Sequence, residues 1–256
     1  MKTLNFQKNG TAICLVLMLL FASCQTEEPN HVSVVEKDSI VTAEAELTDP
    51  TARINPSAVF PVTAHLFGKS TADWAEIFGK TVISLDCESV NANGLLPLAD
   101  KVVAPFGSLG SAPAEYTISK DTYVFLSPLF MFNDYPCPAE FEWEPAEGQS
   151  IEDFLEQTAK GIIDPFESVT VIIDGREIES IEKYRQNTGV FIFTGNPELA
   201  QCFDPCVTGS PQQGLMDGYF MMLKKLGPGK HTIVVKGELP AEDFQYEDTI
   251  IINVSK

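Results

Sequence analysis

The sequence predicts a mainly β protein: an immunoglobulin-like or jelly-roll-type β-sandwich with two short helices, occupying residues 58–256. Three observations predict it. From residue 169 onward, short runs of β-branched and aromatic residues recur between turns bearing glycine or proline, as in a sandwich rather than in βαβ units. Hydrophobic residues make up 44% of the chain, enough for a packed core. Only two stretches in this span repeat apolar residues at helical spacing.

The first helix is expected from Ser70, which can cap it, to Gly79, which stops it. Asp73 sits near its positive end, and Trp74, Ile77 and Phe78 share one face. A strand is expected over 81–86. Residues 88–115 are rich in Gly, Pro, Ala and Ser, broken by a short apolar strand near 101–104. Residues 116–119 and 122–132 read as two strands joined by a turn at Lys120-Asp121. Ser150 opens the second helix, 151–161, ended by Gly161. Val169 to Ile173 runs into Asp174-Gly175, a hairpin signal. Strands follow at 190–193, at 219–223 after a turn at Asp217-Gly218, at 231–236 after Leu226-Gly-Pro-Gly229, and at 249–254.

The N-terminus sets the domain organisation. Lys2 and Lys8 precede an apolar stretch from Ala12 to Ala22. As a helix, eleven residues span about 16 Å, half of a ~30 Å hydrocarbon core, which suits a signal-peptide core. Leu19-Leu20-Phe21-Ala22-Ser23-Cys24 resembles the lipobox of bacterial lipoproteins, with Phe21 where leucine is usual. The resemblance implies a signal peptide over 1–23, an acylated Cys24, and a tether over 24–57. It also implies a lipid-bilayer partner and an extracytoplasmic location at the bacterial outer membrane, facing the periplasm or the cell surface. At ~0.8 kcal/mol per buried methylene, two or three acyl chains anchor essentially permanently. Glu27 and Glu28 resemble the export signal of surface lipoproteins, and Asp38-Ser39-Ile40 resembles a bacterial O-glycosylation site.

The chain carries 17 Lys+Arg against 36 Asp+Glu, a formal charge of −19. Such a field excludes a nucleic-acid partner and argues against anionic lipid headgroups at the protein surface. With Cys14 in the signal segment and Cys24 acylated, Cys87, Cys137, Cys202 and Cys206 remain. An even number outside the cytoplasm predicts disulfides. Of three possible pairings, Cys202–Cys206 and Cys87–Cys137 are expected, because Asp204-Pro205 favours a tight local loop. A zinc site would need paired Cys or His spacing, and His31, His65 and His231 stand far apart. No metal or cofactor is implied.

Several segments in order are similar to a group of uncharacterised bacterial secreted proteins. They are Phe67-Gly-Lys-Ser-Thr-Ala-Asp-Trp74, Ile163-Asp-Pro165, Val171-Ile-Ile-Asp-Gly-Arg176, Tyr184-Arg185, Asp217-Gly-Tyr-Phe-Met-Met-Leu223 and Leu226-Gly-Pro-Gly-Lys-His-Thr-Ile233. The resemblance covers roughly residues 60–256 and implies secretion and a β-rich domain, with no activity attached. The chain departs from the group after Trp74, where Ala75-Glu-Ile-Phe78 replaces a tryptophan-rich stretch.

Glu140, Glu142 and Glu144 alternate with Phe141 and Trp143. On a strand, three carboxylates would share one face and two rings the other. These glutamates and Trp143 are the candidate cation or ligand site. The simpler alternative is a solvated acidic face. Asp174-Gly175 and Asp217-Gly218 lack the remaining ligands of a calcium loop and read as turns. His231 reads as a structural histidine, hydrogen-bonded at a turn. Arg176, Tyr184 and Arg185 are candidates for an anion site, and Trp143, Tyr135 and Tyr219 for stacking on sugars or for edge packing. No nucleophile elbow, HExxH, phosphate loop or dinucleotide fingerprint occurs, and Cys87 lacks an adjacent histidine. No catalytic residue is assigned. The leading expectation is a membrane-anchored module binding a glycan or protein. The alternative is a glycoside hydrolase using carboxylates such as Glu142.

Overall fold

A computed structural model describes residues 58–92, 94–106 and 113–256. Cys24, the signal segment and the tether lie outside the described residues. Two sheets lie face to face, one flanked by helices, so the sandwich with short helices is the observed architecture. The described residues belong to one compact unit.

Helix α1 (Thr71–Val82) begins in a capping box: the Ser70 and Asp73 side chains each accept the other's backbone N–H. The expected stop at Gly79 and the strand over 81–86 are both overturned, because α1 runs through Val82. Gly79 serves packing instead. A Cβ there would stand 2.4 Å from Met216 Sδ, so the bare backbone lets the helix lie close on the sheet. Asp86 then caps the five-residue α2 (Cys87–Asn91). The low-complexity stretch holds two strands, β1 (Gly94–Ala99) and β2 (Val102–Phe106), paired antiparallel. Pro97 is tolerated because β1 is an edge strand.

β3 (Ala114–Ser119) and β4 (Tyr123–Tyr135) both form, but Lys120-Asp121 does not make a hairpin. β3 joins one sheet and β4 the other. Helix α3 (Ile151–Ile163) starts at its Ser150 cap and passes through Gly161, which has open space around it. Asp174 (φ 50°) and Gly175 (φ 75°) make the expected tight turn between β5 (Ser168–Ile173) and β6 (Arg176–Glu177). Next come β7 (Arg185–Asn187), β8 (Phe191–Thr194), β9 (Pro211–Met222), β10 (Gly229–Leu239) and β11 (Phe244–Ser255). The expected turn at Asp217-Gly218 lies inside β9.

Sheet 1 runs β1-β2-β4-β9, with β7 and β8 along the far edge of β9. Sheet 2 runs β3-β11-β10-β5-β6. The pairs β2–β4 and β3–β11 are parallel and the rest antiparallel. Sheet 1 is the middle layer. Trp74, Phe78 and Val82 of α1 pack with Phe125, Phe220 and Met222 on one face. On the other, Val124, Leu126 and Met221 meet Val171, Ile233, Val235 and Ile252 of sheet 2. Each large side chain removed from water in this way contributes about 1.5–3 kcal/mol.

A bulge in β4 between Leu126 and Leu129 divides sheet 1 into two zones. Before it, even-numbered side chains face sheet 2; after it, Phe130 and Phe132 face α1. Beyond the bulge, α3 covers the face that sheet 2 covers before it, through Leu155, Ala159 and Leu215. Pro128, lacking an N–H, sits in the bulge. Just beyond it, paired with Phe130, is Gly218, where a Cβ would be 2.4 Å from the Leu129 carbonyl oxygen and 2.5 Å from Phe130 Cα. Here the Asp-Gly pair is a close backbone approach, not a turn.

Candidate functional site

The cysteines pair as Cys87–Cys202 and Cys137–Cys206, with Cα separations of 5.9 and 4.2 Å. All four bond, but the expected partners are exchanged. The physical reason is the turn Pro197–Gln201, which keeps Cys202 beside α2, while Asp204 accepts the Cys206 N–H at 2.9 Å and turns Cys206 towards the end of β4. The Cys202–Cys206 segment therefore spans two long-range bridges instead of closing on itself.

Cys137–Cys206 pins the base of the loop 136–150. Within it, Ala139–Phe141 forms a 3₁₀ turn and Glu142 is left-handed (φ 49°). The expected strand over 140–144 is therefore absent, and the three-carboxylate face does not form. Glu140, Glu142 and Glu144 are each exposed, as is Glu147. Trp143 turns inward: its Nε1 donates to the Asp134 carbonyl at 2.8 Å, and its ring meets Phe154 of α3 edge-on at 4.9 Å. Tyr135 packs against the same Phe154 ring. Both aromatics anchor the loop.

Beneath this loop lies a carboxyl pair that sequence reasoning missed. Asp134, near the end of β4, is 3% exposed, and its oxygens lie within 4.8 Å of Asp204. Burial, then the neighbouring Asp204, push the Asp134 carboxyl up to about 8, and burial likewise raises Asp204. Gln212 of β9 knits the cluster: Nε2 reaches the Pro136 carbonyl at 2.8 Å and the Cys206 carbonyl at 2.7 Å, with a longer 3.4 Å contact to Asp134 Oδ2. The Cys206 sulfur also lies in this cluster, but it is bonded to Cys137 and offers no thiolate. The legible signal was the polar Asn133-Asp134 inside an apolar strand just before Pro136-Cys137.

A second polar centre sits between α3 and sheet 1. Arg185 of β7 grips Asp217 of β9 with two bonds, Nε–Oδ1 at 3.1 Å and Nη2–Oδ2 at 2.9 Å, and its Nη1 reaches Asp164 at the end of α3. The Asp217 side chain is 2% exposed. Donating to Asp217, an effect that burial opposes, raises the Arg185 pKa above its ordinary value. The candidate anion site at Arg176, Tyr184 and Arg185 is not assembled. Arg185 is occupied by internal carboxylates, Tyr184 packs into the inter-sheet core, and Arg176 is exposed on β6 in the other sheet.

His231 is structural, as expected. Its ring nitrogens lie 2.7 Å from Asp174 Oδ2 and 2.8 Å from the Gly227 carbonyl. Burial opposes protonation, but these two acceptors outweigh it and raise the His231 pKa. Among the described residues, no helix is long and apolar enough to cross a membrane. No family model, curated protein or solved structure matches the chain.

Proposed function

We propose that the protein is a lipid-anchored module outside the bacterial cytoplasm that binds a glycan or protein ligand through the loop 136–150. The observation that carries the binding surface is how firmly this loop is held while its acids stay free. A disulfide, the Trp143–Phe154 contact and the Asp134 carbonyl fix it, and Glu140, Glu142, Glu144 and Glu147 face solvent. A pre-ordered loop loses little conformational freedom on binding. The exposed carboxylates suit a ligand with basic side chains, amines or hydroxyl groups. Glycoside hydrolysis needs two carboxyls reaching a sugar from opposite sides. Asp134 and Asp204 instead lie together under the loop, with Asp134 buried.

Anchoring at Cys24 is supported by the lipobox-like residues 19–24 and by the ordered motifs that resemble secreted bacterial proteins. The test of the binding surface is a glycan and peptide array probed with and without calcium, comparing the mature chain with Glu140→Gln/Glu142→Gln/Glu144→Gln. Ligands lost by the triple variant support the reading, and identical profiles overturn it. Incorporation of a labelled fatty acid in a bacterial host, abolished by Cys24→Ala, tests the anchor.

A further inference from the structure

Net charge conceals a local reversal. Five of the thirteen lysines and arginines among the described residues gather at one end of the domain: Lys69, Lys101, Lys120, Lys224 and Lys225. Lys225 Nζ bonds Asp121 at 2.9 Å and stands 5.4 Å from the Tyr123 ring centre. Lys225 foremost, with Lys101 and Lys120, holds the Asp121 carboxyl below its ordinary pKa. Lys224 lies over the Phe60 ring at 5.9 Å. In their midst is Phe67, one of two large hydrophobic residues left exposed among the described residues, at 57%. Its ring stands edge-on to Tyr123 at 5.7 Å. Its backbone is left-handed (φ 53°), a conformation that a bulky residue rarely adopts. The fold thus holds an aromatic ring outwards, in strain, among lysines.

Ala58 and Phe60 pair with the backbone at Met222 and Lys224, through Phe60 N–Met222 O at 2.9 Å and Lys224 N–Ala58 O at 2.8 Å. The 34-residue stretch 24–57 therefore joins the domain beside Lys224. We propose that Phe67 and the surrounding lysines form a foot that seats the domain on anionic phospholipid headgroups, with the ring entering the interface. This rests on the anchoring reading, which places the bilayer within reach of this end.

Asp73, Asp100 and Asp121 lie on or beside the foot and offset three of the five positive charges. The rest of the acidic surface is screened at distances beyond about 8 Å at physiological salt, so the near face decides. A lysine close to such headgroups is worth roughly a fivefold gain in partitioning, and an interfacial aromatic adds to it. Tethering raises the effective concentration, so weak contact suffices.

The test uses residues 25–256, which contain the whole compact unit and carry no acyl chain, floated with phosphatidylcholine vesicles with or without phosphatidylglycerol. Expected is binding that needs phosphatidylglycerol and weakens with salt. Phe67→Ser and Lys101→Ala/Lys120→Ala should each lower it roughly tenfold or more. Lys183→Ala should leave it unchanged, and all variants should keep the wild-type melting temperature. Absence of binding, or binding indifferent to these foot substitutions, overturns the proposal. So does capture by soluble dextran sulfate with none by vesicles, which would mark a polysaccharide site. Acylation is read separately, as the mass of the Cys24 peptide from cells. An unmodified Cys24 sinks the anchor reading, while the vesicle result still decides whether the foot binds lipid.

Discussion

Replacing Asp134 by Asn should lessen the pH dependence of stability between pH 5.5 and 8. The unfolded Asp134 carboxyl titrates near 3.8 and the folded one near 8. Across that interval the folded chain binds a proton that the unfolded chain has released, so stability falls as pH rises. The slope for one group is about 1.4 kcal/mol per pH unit, which makes the loss from pH 5.5 to 8 roughly 3 kcal/mol. Asp73, Asp86 and Asp121, whose pKa values are lowered, act with the opposite sign, but only below about pH 4. Asp204, raised by burial, and His231 act with the same sign as Asp134: a raised pKa favours the folded state at low pH, and the His231 share fades above its ordinary 6.5. His231→Gln measures that share. The Asn amide keeps an oxygen to accept from Gln212 while removing the charge. The assay is urea unfolding at pH 5.5 and 8 with disulfides intact. Wild-type stability that is flat or rising over this range, or an undiminished drop in Asp134→Asn, would refute the reasoning.

Asp217→Asn should destabilise by about 2 kcal/mol, because the half-buried Arg185 would lose its charged bidentate partner and keep only the exposed Asp164; the paired change Arg185→Met/Asp217→Leu, measured in the same urea titration, should cost less than the single substitution. Gly218→Ala should lower stability by more than about 3 kcal/mol, since its methyl meets β4 backbone that cannot swing away, and a melting temperature near wild type would contradict the close approach. Peptide mapping without reductant should recover the 87–202 and 137–206 linkages, and Cys137→Ser/Cys206→Ser should cost about 4 kcal/mol for its 69-residue separation.

Local signals were legible where they depend on neighbouring residues. Ser70 and Ser150 cap their helices because a hydroxyl followed by an acid three residues on completes the first turn. Asp174-Gly175 turns because both residues accept positive φ. The same dipeptide at Asp217-Gly218 means something else, and only the bulge in the facing β4 strand decides it. The two glycines expected to end helices fail for a related reason, since neither is followed by the chain reversal that would end its helix. Glu140 to Glu144 carried an alternation real in sequence, but the bridge from Cys137 to a residue 69 positions away turns the segment into a loop. Asp134 stood out as a polar residue in an apolar strand, but its partner Asp204 did not, because the two are seventy residues apart and meet through the Cys137–Cys206 bridge and Gln212. Counting charges hid the lysine cluster, because a total discards position.

The place of β11 in sheet 2 bears on when the domain can close. Phe244–Ser255 lies between β3 and β10, bonded along both edges. Until those residues are available, β3 has no neighbour in its sheet, and Ile250, Ile252 and Val254 are missing from the inter-sheet core. A chain emerging residue by residue, from a ribosome or through a secretion pore, cannot complete the sandwich while its last strand is still behind the exit. Truncation before residue 244 would leave β10, β5 and β6 paired but cut β3 from the sheet and open the inter-sheet core.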